Sequence, residues 1–202
     1  MSKSLRNDLN SLSKKGYTAQ LHKAPVRGSL IQALEQVSDE WLKTFGTEEI
    51  IFSQGMFDRN ELKKHNIITL SDNEGRIVAF LNIIPDYSPE ECTYDMIRKT
   101  ADAPDGAMDA LIVRLIEFAK EKGYLFLNLG MVPMAGIEKP ENTAEHVVKF
   151  AYHKFKPFRS YPGLRDFKEK YANRWLNKYL IYEDDFDLVQ LPGVLNKVMQ
   201  PV

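Results

Sequence analysis

The order of apolar segments between residues 67 and 129 constrains the fold of this chain more than any other feature. Two apolar runs, Ile67 to Ser71 and Arg76 to Ile84, flank Asp72-Asn73-Glu74-Gly75, a hairpin signal in which Gly75 is free to take a positive φ. Pro85 closes the second run, and Cys92 to Arg98 offers a third strand. Asp105 precedes a helix from about Gly106 to Lys122, with Met108, Leu111, Ile112, Leu115 and Ala119 as its buried face and Gly123 as its stop. Tyr124 to Leu129 reads as a short interior strand, and residues 130–136 leave it as a loop that cannot be regular. Helices alternating with hairpins and single strands indicate a mixed α/β (α+β) fold.

The flanking segments fit the same scheme. Leu5, Leu9 and Leu12 repeat at helical spacing in a basic opening helix that Gly16 ends. Tyr17 to His22 is a candidate strand before Pro25. Leu30, Leu34, Val37, Trp41 and Leu42 mark a helix over residues 29–45. Asp58, with Glu61 three residues on, predicts another helix start. Helices are expected at Glu141 to Ala151 and Gly163 to Tyr171, a late strand at Trp175 to Tyr182, and a final helix introduced by Pro192. There is no internal repeat or low-complexity tract.

Composition narrows the function classes. Of 202 residues, 44% are hydrophobic and 27% charged, the balance of a soluble globular chain. The lone Cys92 excludes an intrachain disulfide framework and a four-thiolate zinc site. The longest uninterrupted apolar run, Ile77 to Leu81, falls far short of the ~20 residues of a membrane span. The four histidines lack metal-ligand spacing, and no phosphate loop, dinucleotide fingerprint or nucleophile elbow is present. Neither a metal nor a cofactor is expected. The net charge of −1 argues against indiscriminate nucleic-acid binding, but it hides strong local imbalance. Residues 149–178 carry a net +7, residues 1–27 a net +5 and residues 83–110 a net −5. Such runs are either solvated faces or a phosphate-binding surface paired with an acidic site for an amine. Asp95 and Arg98 flank a strand end, and Asp109 sits in the first turn of the following helix, where stabilisation of the helix N-terminus is its simplest role. Arg165, Lys168 and Glu169 lie about a turn apart on another helix, as either a functional face or an ion-pair ladder.

Several segments together closely resemble the catalytic domain of bacterial phosphatidylglycerol lysyltransferases. They are Phe52-Ser53-Gln54-Gly55-Met56-Phe57-Asp58, Gly75 to Asn82, Asp95-Met96-Ile97-Arg98, residues 102–109, and Phe126-Leu127-Asn128-Leu129-Gly130-Met131-Val132-Pro133. Gly163 to Tyr171, Trp175 and Tyr179-Leu180 continue the likeness, which covers residues 3 to about 182. The resemblance implies an acetyltransferase-like (GNAT) fold with a mixed central sheet flanked by helices. It further implies a connector helix and first strand over residues 1–25, and a single domain over 26–202 that is the second of a tandem pair. In the parent proteins an upstream domain of the same type and a membrane flippase region precede it, on the cytoplasmic side of the cell membrane.

The activity so implied is transfer of an aminoacyl group, lysyl by family frequency, from aminoacyl-tRNA to the glycerol hydroxyl of phosphatidylglycerol. The modified lipid blunts cationic antimicrobial peptides. Transesterification needs an oriented hydroxyl, proton transfer and a stabilised oxyanion, with no cofactor. On this resemblance Asp95 recognises the α-ammonium or orients the hydroxyl, and Arg98 holds a phosphate. Lys168 and Lys170 bind phosphate and stabilise the oxyanion or leaving group, while Asp109, Gly130, Arg165 and Glu169 contribute to substrate binding. Two rivals stand beside it: a coenzyme-A-dependent N-acetyltransferase on the same fold, and a non-catalytic module for tRNA or anionic lipid. Against the first, the helix start at 103–109 holds acids where pyrophosphate would lie.

Overall fold

The computed structural model describes residues 3–45, 49, 55–84, 88–132, 146 and 162–199. They fall into two compact units, one of residues 1–49 with 54–130 and the other of residues 50–53 with 131–202. The first unit is built on a sheet of five strands in the order β1-β2-β3-β4-β5. These are β1 (Thr18–His22), β2 (Asn66–Ser71), β3 (Ile77–Ile84), β4 (Glu91–Lys99) and β5 (Phe126–Asn128). The first four pair antiparallel, and β5 joins β4 in parallel. The expected mixed α/β architecture, a mixed sheet flanked by helices, is therefore present.

The β2–β3 hairpin forms around the expected turn. Gly75 has φ +83°, and Asp72 Oδ1 accepts from the amides of Glu74 (3.0 Å) and Arg76 (2.9 Å). Every residue from Ile67 to Leu70 and from Val78 to Ile83 is buried, which an antiparallel pair shows only when both faces are covered. Helix α2 (Gly28–Phe45) covers one face, packing Ile31, Leu34 and Val37 against Ile67, Phe80 and Met96. Phe57 joins that cluster edge-on to Phe80, just before the one-turn helix α3 (Arg59–Leu62) that Asp58 caps as expected. The other face receives α4 (Ala107–Lys122), with Leu111, Ile112, Leu115 and Ala119 buried and Gly123 terminating it at φ +78°. Met108 is only half-buried. Helix α1 (Lys3–Lys14) buries Leu5 and Leu12 and lies against the start of α4.

Three expectations change. The strand after Gly123 has one partner among the described residues: there β5 pairs with β4 alone, and Leu125 and Phe126 are exposed rather than buried as an interior strand would hold them. Residues 175–182 form no strand among the described residues; the segment is irregular and its apolar side chains are exposed. Apolar content alone does not make a strand where no neighbouring strand offers hydrogen bonds. The last helix begins seven residues before Pro192, because Asp184 accepts from the amides of Phe186 (2.8 Å) and Asp187 (3.1 Å). That cap outweighs Pro192, which sits inside the helix. The second unit thus comprises, among its described residues, α5 (Pro162–Glu169), the irregular segment, and α6 (Asp185–Val198). Of the helix expected at 141–151 only His146 is described, as helical; residues 133–136 and the basic stretch 149–160 lie outside the described residues.

Candidate active site

In the first unit Asp95 and Arg98 lie on the part of β4 that β5 does not accompany. β5 accompanies β4 only from Glu91 to Thr93, so the β5-side edge of residues 94–99 has no strand partner among the described residues. At the same place β4 bulges. Leu81 pairs with Ile97 and Ile83 with Tyr94, so Asn82 alone faces the two residues Asp95 and Met96. A bulge of this kind re-aims side chains and ends pairing, and Asp95 is the residue it re-aims.

The half-buried Asp95 carboxylate turns to the segment before α3, where Oδ1 accepts the Gly55 amide at 2.7 Å. A Cβ on Gly55 would stand 2.2 Å from Asp95 Oδ2, so only glycine lets the backbone approach this closely. Next to it, burial raises the Tyr94 hydroxyl to about 12, keeping it protonated at neutral pH.

Arg98 is not available as expected. The residue is 3% exposed and its guanidinium is bound bidentately by Glu49, with both nitrogen–oxygen distances 2.7 Å, while Nη1 also donates to Ser38 Oγ at 2.5 Å. Glu49 Oε1 also accepts the Phe57 amide at 3.3 Å. The pair therefore ties β4 to α2 and to the segment carrying Gly55. A guanidinium so occupied is a strut inside the fold rather than a phosphate clamp.

Asp109 is buried in the first turn of α4, on the opposite face of the sheet from Arg98, as expected of a carboxylate stabilising free helix amides. Gly130 leaves β5 at φ +78°, its amide donating to Asn128 Oδ1 at 2.8 Å. At the start of α4, Gly106 lets α1 approach: a Cβ there would meet Asp8 Cβ at 3.3 Å and Leu12 at 3.4 Å.

In the second unit, α5 carries the other expected residues. Lys168 is 6% exposed, and its Nζ donates to the Met131 carbonyl at 3.1 Å. Among the described residues it has no carboxylate partner, and burial pulls its ammonium down to about 8. Arg165 and Glu169 stand 4.0 Å apart as an exposed i,i+4 pair, with Arg165 also over the Trp175 ring at 5.4 Å. Their spacing serves the ion-pair alternative. Lys170 is exposed, with Nζ 5.5 Å from the Phe167 ring centre.

Asn82, His65, Glu49 and Ser38 also bear on the site without being among the sequence candidates. Asn82 had a signal, being a polar residue inside an otherwise apolar strand run, where a buried amide must find partners. Glu49 and Ser38 had none. No cluster of three potential metal ligands occurs among the described residues.

These features define a mixed α/β domain whose bulged strand presents a carboxylate beside a neighbour that accompanies it only part of the way. The family is narrower. Residues 2–182 match the family model described as phosphatidylglycerol lysyltransferase, C-terminal, and the chain belongs to that family. It is 37% identical over 186 residues to the phosphatidylglycerol lysyltransferase of Bacillus subtilis, covering 91% of this chain and 22% of that relative. The counterpart from Staphylococcus haemolyticus is 30% identical over 185 residues, again spanning 91% of this chain and 22% of its own length. Among solved structures, L-PGS from Bacillus licheniformis superimposes with a TM-score of 0.81 at 34% identity, over 96% of this chain and 60% of that one. The C-terminal domain of a putative lysylphosphatidylglycerol synthetase from Agrobacterium fabrum gives 0.69 at 32% identity, over 83% and 50% respectively. The chain thus spans about a fifth of the length of the curated relatives it matches.

Proposed function

We propose that this chain serves aminoacyl transfer, with lysyl as the donor group, from aminoacyl-tRNA to the glycerol hydroxyl of phosphatidylglycerol. The match of residues 2–182 to the lysyltransferase family carries this reading. The reaction is a transesterification: a lipid hydroxyl oxygen bonds to the ester carbonyl carbon as its proton passes to a base. The tetrahedral oxyanion then collapses, and the ribose oxygen leaves with a proton.

Asp95 either pairs with the α-ammonium of the donor or orients the attacking hydroxyl. Lys168 stabilises the oxyanion and protonates the leaving oxygen; an amine with its pKa near 8 holds and releases a proton close to neutral pH. Lys170 and Arg165 meet phosphates, and Glu169 balances Arg165. Asp109, Gly130 and Arg98 support the site: Asp109 holds the α4 start, Gly130 opens the β5 exit, and Arg98 fixes the Gly55 segment. In the parent protein an upstream domain of the same type, a membrane flippase region and the cytoplasmic membrane surface complete the setting.

The acids at the start of α4, Asp105 and Asp109, count against coenzyme A, because pyrophosphate would need the free amides there and carboxylates repel it.

Transfer of labelled lysine from charged tRNA into phosphatidylglycerol vesicles tests the reading. This chain alone is compared with the same chain placed behind the upstream region of the Bacillus subtilis relative. Label in lipid with the longer chain supports it; none from lysyl- or alanyl-tRNA sinks it. Asp95→Asn separates the two roles: raised KM for the charged tRNA marks ammonium recognition, and lost kcat at unchanged KM marks hydroxyl orientation.

A further inference from the structure

The bulge that aims Asp95 has a cause inside the sheet. With two residues of β4 opposite one of β3, the regular ladder is interrupted at Asp95 and Met96. Met96 is 3% exposed, and a buried N–H at such a break carries its full desolvation cost unless it finds an acceptor. Asn82, 1% exposed, supplies the acceptor: its Oδ1 takes the Met96 amide at 2.8 Å. The other end of the side chain, Nδ2, lies 3.3 Å from Nδ1 of His65, at the entry to β2. With that ring nitrogen unprotonated, Nδ2 donates to it, which fixes the amide with its oxygen toward Met96.

We infer that Asn82 is the positioning residue for Asp95, selecting the bulged register of β4 over the flat one, with His65 orienting its amide. In a flat ladder Met96 would bond to backbone, and β4 beyond the bulge would slip by one residue. Side chains alternate across a strand, so such a slip turns Asp95 away from Gly55. A leucine at position 82 would fill nearly the same volume in this apolar surrounding but offer Met96 no acceptor. The polar atom, not the packing, is what the position requires. The inference rests on the reading that Asp95 acts on substrate, and its test keeps the two apart.

Amide hydrogen exchange on the chain reads the bulge directly, because the Gly55 amide reports the Asp95 carboxylate and the Met96 amide reports Asn82. In Asn82→Leu, protection of both amides should fall at least tenfold while α4 amides stay protected. Asn82→Asp keeps an acceptor and should restore Met96 protection to within threefold of the parent. In the longer, transfer-competent chain, Asn82→Leu should lower kcat at least tenfold and change KM for charged tRNA less than threefold, with Asn82→Asp recovering most of the loss. Should the leucine variant not fold, Asn82→Ser, which withdraws the acceptor by one bond, takes its place with the same expectations. Unchanged Gly55 and Met96 protection in a folded Leu or Ser variant overturns the inference, as does unchanged kcat where Asp95→Asn is inactive. If Asp95→Asn itself transfers normally, the reading of Asp95 fails instead, and the exchange result alone decides the role of Asn82 in the bulge.

Discussion

A buried lysine without a carboxylate partner among the described residues is costly, and Lys168 is one. Its pKa falls from the ordinary 10.5 to about 8 in the folded chain. Between those values the unfolded chain binds more protons than the folded one, so stability rises with pH from about 8 to 10.5 and is lowest below 8. Lys168→Met should therefore raise stability to urea at pH 7, by roughly 1–3 kcal/mol, while abolishing transfer. A variant that loses stability would remove the buried-ammonium account. If Lys168 protonates the leaving oxygen, the kcat profile should fall above a pH near 8. Lys168→Arg, which stays protonated, should lose that limb. Gly55 is a second case at this scale. Gly55→Ala forces a Cβ onto the Asp95 carboxylate and should reduce transfer at least tenfold, whereas alanine at Gly28, which meets nothing within 4 Å, leaves the rate unchanged.

Among the elements, ion pairs that look alike in the sequence differ in worth because their burial differs. The Arg98–Glu49 pair, with side chains 4% and 18% exposed, joins β4 to the segment after α2. Glu49→Ala leaves a buried guanidinium without its counter-charge and should cost about 3–5 kcal/mol in urea unfolding. Arg76 and Asp102, also bidentate, tie the β2–β3 hairpin to the loop after β4 but are 52% and 57% exposed. Arg76→Ala should cost under about 1 kcal/mol. The Asp102 carboxyl is held down to about 2 by Arg76, so what the pair contributes is lost only as pH falls below about 4 toward 2. Equal losses for Glu49→Ala and Arg76→Ala at pH 7 would contradict this ranking.

For the whole molecule, the two compact units divide the candidate residues: Asp95, Arg98, Asp109 and Gly130 lie in the first, and Arg165, Lys168, Glu169 and Lys170 in the second. The first unit is a five-stranded mixed sheet with helices on both faces, and α1 packs beside Gly106 at the start of α4. Titration with acetyl-coenzyme A should show no saturable heat; clear micromolar binding would favour the acetyltransferase alternative. No helix among the described residues is long and apolar enough to cross a membrane.

Local physics made much of this readable from the chain. The hairpin follows from Asp72 to Gly75, the limits of α4 from its flanking glycines, and the short α3 from Asp58, each set by residues within one turn of one another. Helix α2 likewise follows from spacing, with Leu34 and Val37 buried as its stripe implies and Ile31 taking the place of the half-buried Leu30. The sequence by itself thus determined which segments become helix or strand through most of the first unit, and which family the chain belongs to. Only the tertiary structure decided that β5 leaves β4 after three residues, that β4 bulges at Asp95, that Arg98 is sealed by Glu49 and that Lys168 is buried. The physical reason is separation along the chain. Gly55 meets Asp95 across 40 residues, Glu49 meets Arg98 across 49, and Met131 meets Lys168 across 37. Charge and hydrogen-bonding capacity are properties of a residue, but whether they are spent inside the fold or left for a substrate depends on partners that only folding brings near.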